Sequence, residues 1–244
     1  MQTLRGAVSR LLLAQAASGR PLAIVLAGHN GSGKSTLWRE KLAPRIRIPL
    51  VNADRMMMSI LPEPTKGRLP SWAAKLRDDD ESWMKVAQQG VQAFVAQALA
   101  NNVPFAMETV FSHWLVHPDG RVESKLDMIR QMQAAGYFVV LIFVGLSSAQ
   151  LSIGRVATRV ALGGHAVGED KLLARFPRTQ KAIDHALEAC DAALLTDNSR
   201  SQKEAFTVCR VQLGPEVVYD LRGGVRPVPP EISRWLGFVA PRMP

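Results

Sequence analysis

Cysteine is almost missing from this chain: Cys190 and Cys209 are its only two. Neither stands at metal-site spacing from a histidine, and two thiols do not make the framework of a small stapled secreted domain. They read as small core residues of a reducing compartment, so the expected location is cytoplasmic, although their positions do not exclude a pair. Long apolar runs are missing too. No stretch reaches the roughly 18 apolar residues of a membrane span, and the nearest, Leu11 to Ala27, is broken by Gly19-Arg20-Pro21. Arg5 and Arg10 before Leu11-Leu12-Leu13-Ala14 give a faint likeness to a signal peptide. Its apolar core is short and a buried strand follows at once, so the stretch reads as an amphipathic helix. Acidic residues are outnumbered, 21 against 30 basic, which gives a formal charge of +9 and points to anionic partners. The basic residues are scattered, and no basic strand is interleaved with aromatics, so phosphate ligands are expected before nucleic acid. Disorder is excluded by a hydrophobic share of 47%.

What the chain does have is Gly28-His29-Asn30-Gly31-Ser32-Gly33-Lys34-Ser35-Thr36, which fits the phosphate-loop pattern G-x-x-x-x-G-K-[ST]. Pro21 to Ala27 before it reads as a buried parallel strand, and Thr36 to Leu42 after it as a helix. Glycines let the backbone turn sharply and bring N–H groups near phosphate oxygens, and the helix adds its unpaired N-terminal N–H groups. Lys34 is the point charge for the β- and γ-phosphates, and Ser35 offers a hydroxyl to Mg²⁺. ATP and Mg²⁺ are therefore the expected cofactors, with Gly28 to Thr36 as the nucleotide-binding residues.

Strand and helix signals then alternate. Residues 2–18 read as a helix. Further strands are expected at Ile46 to Val51, Pro104 to Met107, Tyr137 to Val144 and Ala192 to Thr196. Helices are expected from Trp72 to about Asn101, Val122 to Ala135 and Ser148 to about Leu162. Two more follow, Glu169 to Arg175 and a separate one that starts at Pro177. His113 to Gly120 reads as a loop, and Trp72 and Trp83 read as core. Phe206 to Val211 and Val217 to Tyr219 suit an antiparallel edge pair, and Ile232 to Leu236 a short final helix. The class expected is α/β: a mostly parallel sheet of about five strands, helices on both faces and a helical lid. One kinase-like domain would span 1–244, with a helix at 1–19, a core at 20–200, a lid at about 155–178 and an extension at 201–244.

Ligands of such a sheet bind at the strand C-termini, where the polar clusters fall. Asp54, at the end of the second strand, suits a base that accepts a hydroxyl's proton; its structural alternative is the N-cap of a helix from Arg55. Glu108-Thr109 end the third strand and Asp197-Asn198 the fifth. Either Glu108 or Asp197 suits the metal, and the sequence does not rank them. Arg155 and Arg159 lie four apart on one helix face, before a Gly163-Gly164 hinge, where they can neutralise a transferring phosphoryl group or form a solvated face. His165, Arg175 and Arg178 are weaker lid candidates. His113 and His117 read as surface.

Several of these blocks together resemble the zeta-toxin-like P-loop kinases: Gly28 to Thr36, Val51-Asn52-Ala53-Asp54, Met107-Glu108-Thr109, Gly136-Tyr137, Arg155 to Val160, Gly163-Gly164-His165 and Asp197-Asn198-Ser199. The similarity runs through about residues 20–200. It implies an ATP-dependent kinase acting on a sugar hydroxyl of UDP-N-acetylglucosamine and restrained by a small helical antitoxin. It further implies Asp54 as base, Lys34 and Ser35 on ATP and Mg²⁺, Glu108 with Thr109 on substrate, and lid arginines here taken as Arg155 and Arg159. The chain departs from the pattern at Val110, at Gly168 and across Glu63 to Asp80. Two other readings stay open: a kinase or binder of nucleic-acid ends, and a nucleotide-gated interaction module without turnover.

Overall fold

The computed structural model describes residues 2–65, 68–164 and 166–241. Its strands, in chain order, are β1 (Leu22–Gly28), β2 (Leu50–Val51), β3 (Phe105–Thr109), β4 (Trp114–Val116), β5 (Val122–Ser124), β6 (Phe138–Gly145), β7 (Ala192–Asp197), β8 (Thr207–Leu213) and β9 (Glu216–Asp220). The helices are α1 (Leu4–Ser18), α2 (Lys34–Leu37), α3 (Ala43–Ile46), α4 (Ala53–Ser59), α5 (Ser71–Asp79), α6 (Glu81–Ala100), α7 (Leu126–Ala134), α8 (Ala149–Ala161), α9 (Glu169–Ala189) and α10 (Pro230–Val239).

β1, β6 and β7 are buried at every position, as unbroken apolar runs require. Together with β2 and β3 they form the expected parallel set. The sheet is larger than five strands: its order is β2-β3-β1-β6-β7-β8-β9, because the antiparallel pair β8–β9 joins the same sheet beside β7. Side chains alternate across it. Ala23, Val25, Leu141 and Phe143 face a core shared with α6, α7, α9 and α10. Leu22, Ile24, Leu26 and Ile142 face α1 and the helical segment after the phosphate loop. Helices thus cover both faces. Both cysteines are free and buried in the first of these cores, where burial pushes their thiols up, Cys190 to about 12. Among the described residues no helix is long and apolar enough to cross a membrane.

Four local expectations are corrected. The second strand is only Leu50–Val51: the preceding helix runs on through a π-helical turn (Trp38–Leu42) into α3 and ends where Arg47 adopts a left-handed conformation. The wide turn lets Ala43 N–H reach Trp38 O, and Pro44, next in line, has no N–H to give. The segment from His113 contains a hairpin, β4 with β5, so α7 starts only at Leu126. Ser124 Oγ accepts from Leu126 N, and Ser124 N donates to Asp127 Oδ2, which fixes that start. Glu169 to Ala189 is one helix with Pro177 inside it. Leu173, whose carbonyl loses a partner at Pro177, is exposed, so water can serve it. A buried stripe of Leu172, Thr179, Ala182, Ile183 and Ala186 holds the axis together. Finally, Trp72 is 58% exposed and Trp83 half-buried, because α5 buries Ala73 rather than its tryptophan.

Candidate active site

β1 lies between β3 and β6, where the strand order reverses, and such a switch point leaves a crevice outside the strand C-termini. The chain from Gly28 to Lys34 crosses it. Gly31 and Gly33 have φ of 69° and 92°, the left-handed region that glycine occupies without strain. There is no room for a side chain either: a Cβ on Gly33 would stand 2.6 Å from Asn198 Nδ2, and one on Gly31 3.0 Å from Arg155 Cβ. The loop is clamped from two sides. Ser152 Oγ of α8 donates to Asn30 O (2.7 Å), and Asn198 Nδ2 donates to Ser32 O (2.8 Å).

Lys34 is buried, and its Nζ donates to Gly28 O and His29 O, both at 2.9 Å. Burial pushes the ammonium below its usual value. Glu108 and Asp54 oppose that shift, and the positive charge of Arg159 adds to it. Residues from the phosphate loop, α4, β3 and α8 therefore share one electrostatic site. Ser35 Oγ donates to Glu108, 3.0 Å from each carboxylate oxygen. Asp54 sits exposed in the first turn of α4, and the cap is Asn52, whose side chain accepts from Arg55 N (3.1 Å). Asp54 is thus free of the capping role that the sequence allowed it. Thr109 Oγ1 accepts from Phe111 N (3.2 Å), fixing a turn in which Phe111 takes a left-handed conformation. Thr36 is half-buried in α2.

The fifth-strand acid is engaged elsewhere. Asp197 is fully buried and accepts from Trp235 Nε1 (2.9 Å), Ser199 Oγ (2.7 Å) and Ser199 N (3.1 Å), with Arg200 Nε at 3.6 Å. Its oxygens are occupied by the protein, which leaves Glu108 as the carboxylate beside Ser35. The same contacts tie α10 to the phosphate loop, since Asn198 is the next residue. Trp235→Phe keeps an aromatic side chain, deletes the donor and leaves part of the indole's buried space empty. It is expected to cost at least about 1–3 kcal/mol, the penalty for an under-satisfied buried acceptor, with the void adding to it, read as a lower urea midpoint at unchanged slope.

Arg155 and Arg159 project from α8. Arg155 abuts Gly31; burial lowers its pKa and the charge of Asp197 opposes that. Arg159 is the one whose charge reaches Lys34. α8 ends at Gly163, in a left-handed conformation, with Gly163 N donating to Val160 O and Gly164 N to Arg159 O. Arg175 and Arg178 lie on α9, and Arg178 Nε donates to Ala174 O of its own helix. His165 lies outside the described residues. His113 and His117 both reach Glu123 on the β4–β5 hairpin. Nothing in the spacing of the sequence marked the ring of His29, the clamp from Ser152 or the Trp235–Asp197 bond, because each joins residues far apart in the chain.

Three buried polar atoms of the phosphate loop, His29 Nε2, Asn30 Oδ1 and Ser32 Oγ, have no partner among the described residues. Buried polar groups are ordinarily satisfied; of the three, the Ser32 hydroxyl is the donor that, beside a glycine cradle and a lysine, fits a phosphate-bearing nucleotide. A phosphate loop after the first strand of a parallel sheet, with carboxylates on the adjoining strand and helix, defines a P-loop kinase-like protein.

The chain belongs to the zeta toxin family, whose model matches residues 9–205. Family and fold together mark a nucleotide-dependent phosphotransferase of the kinase type. Over 154 residues it is 27% identical to an uncharacterized protein of Haemophilus influenzae, covering 63% of this chain and 91% of that one. Its fold resembles a structure of the PezAT chromosomal toxin–antitoxin system of Streptococcus pneumoniae, with a TM-score of 0.52, 13% identity and coverage of 93% of this chain and 85% of that chain. It also resembles the AvrRxo1-ORF1:-ORF2 complex, with a TM-score of 0.56, 14% identity and coverage of 98% and 70%. The same complex solved with ATP gives 0.55 at 13% identity, with coverage of 98% and 70%.

Proposed function

We propose that this protein transfers the γ-phosphoryl group of ATP to a hydroxyl of a small molecule, a nucleotide sugar such as UDP-N-acetylglucosamine, with Asp54 as the base. The observation that carries this is Lys34 held on two carbonyls of the loop, beside the Ser35–Glu108 pair and within the field of Asp54, a carboxylate exposed at the start of α4. A nucleotide-gated module needs the lysine and the loop; it needs no acid outside the metal site, and Asp54 is such an acid.

Gly28 to Thr36 would hold the phosphates through backbone N–H groups, and Ser35 with Glu108 would hold Mg²⁺. Bound ATP supplies the phosphoryl group, and Mg²⁺, when bound, would supply positive charge against its oxygens. Asp54 orients the acceptor hydroxyl and takes its proton as the new O–P bond forms and the bond to the β-phosphate oxygen breaks, leaving ADP. Lys34 and Arg159 neutralise charge on the transferring group, and Arg155 sits over the loop on the nucleotide side. Thr109, which follows Glu108 at the end of β3, is assigned to the acceptor. The same reading includes a small antitoxin as partner and a single kinase domain over 1–244.

The test is an acceptor screen. Purified protein with ATP and Mg²⁺ is incubated with UDP-N-acetylglucosamine, related nucleotide sugars, NAD and short RNA, and the products are read by mass spectrometry. A phosphate added to UDP-N-acetylglucosamine is the expected result. Transfer to another small molecule would discard that acceptor and keep the chemistry, and transfer to RNA ends alone would overturn the small-molecule assignment. ATP binding with no ADP formed on any acceptor would sink the enzyme reading.

A further inference from the structure

We propose that His29 is a positioning residue that couples the phosphate loop to helix α9 through its ring, a role that rests on the phosphotransferase reading above. His29 is the second residue of the loop, and its ring is only 2% exposed. It lies flat on Phe176 of α9, with ring centroids 3.9 Å apart and planes inclined by 12°. Its edge meets Phe143 of β6, at 5.8 Å and 75°. The backbone carbonyl of the same residue accepts from Lys34 Nζ. One residue therefore grips the phosphate-binding lysine with its main chain and the helix beyond the Gly163-Gly164 break with its side chain.

The chemistry of the ring suits a mechanical role. Nε2 has no partner among the described residues. Burial, aided by the charge of Lys34, lowers the imidazole to about 3, so the ring is neutral at physiological pH. It is therefore no phosphate-binding cation. A flat neutral ring between Phe143 and Phe176 transmits position: the sheet strand behind it is fixed, so a shift of the loop backbone moves the face against which Phe176 rests. Phe176 belongs to the first half of α9, before Pro177, the half that comes next in the chain after the glycine break. Loop closure over the phosphates and placement of that half-helix then become one event.

The whole chain is used for the test, as wild type, His29→Ala, His29→Phe, Phe176→Ala and the double alanine variant. The probe is the non-hydrolysable analogue AMP-PNP with Mg²⁺, and the readout is amide hydrogen exchange of residues 169–176. In the wild type, AMP-PNP is expected to slow exchange there about tenfold. His29→Ala is expected to abolish that slowing while leaving AMP-PNP affinity within about threefold, and to lower kcat about tenfold at nearly constant KM for ATP. His29→Phe, which keeps a flat ring, restores the protection. The double variant should be no worse than the worse single one, the non-additivity of two groups acting as a unit. A His29→Ala protein whose α9 is still protected by AMP-PNP overturns the coupling, and so does a His29→Phe protein that behaves like alanine. Should Phe176→Ala fail to fold, the two His29 variants decide alone. The two readings fail separately. A wild type that binds AMP-PNP and phosphorylates no acceptor sinks the phosphotransferase reading, and the exchange data still judge the coupling. A wild type that does not bind AMP-PNP sinks it too, and faster α9 exchange in unliganded His29→Ala than in wild type then carries the coupling, its absence overturning it.

Discussion

Lys34→Ala is expected to lower phosphoryl transfer about a thousandfold, the scale of losing a pre-placed electrostatic group in a water-poor site. Two effects compete in this variant. Removing a buried cation relieves its desolvation, which favours the fold. The same change leaves the carboxylates of Asp54 and Glu108 facing a loop without its positive charge, and frees the carbonyls of Gly28 and His29 that Nζ now occupies. Stability should therefore move little while transfer collapses. Initial rates in the acceptor assay, paired with a urea melt of each protein, separate the two. Residual activity above about a tenth of wild type would remove Lys34 from the transition state. Arginine is not a substitute: its planar fork does not enter a cradle sized for one ammonium held by two carbonyls at 2.9 Å.

Asp54→Asn is the second large effect. Asp54 is exposed and Asn52 does the capping, so the fold should lose less than about 0.5 kcal/mol. Transfer should fall roughly 10²- to 10⁴-fold, the range for a lost general base, while ATP affinity stays close to wild type. A pH profile carries a further expectation. The Asp54 charge holds the Lys34 ammonium up against burial. Its neutralisation lowers that pKa further, so the alkaline limb of the residual rate moves to lower pH. An Asp54→Asn enzyme with wild-type kcat would free Asp54 from the role of base.

The parallel strands β1, β6 and β7 were legible in the sequence because burial on both faces leaves an unbroken apolar run, as at Phe138–Gly145, whereas the two-residue β2 was expected too long. The phosphate loop was legible because its residue types are dictated by phosphate geometry over a few consecutive positions. What could not be read was set by tertiary context. Pro177 looks like a helix start, yet α9 runs through it on a buried stripe. Glu108 and Asp197 look alike at the ends of two strands. Only the fold shows one beside Ser35 and the other consumed by Trp235 and Ser199. Asp54 could have been a cap until Asn52 was seen to hold that place.

The clamp on the phosphate loop has a consequence for how the protein is made. Asn198 and Ser32, whose bond steadies the loop, are 166 residues apart in the chain. The strand that ends just before Asn198 is itself anchored through Asp197 to Trp235, beyond the family-matched region. A nascent chain on the ribosome owns its lysine and its glycines early, yet lacks the parts that shape them. The loop gains its full support only once α10 has been made and has docked, about 200 residues after the lysine.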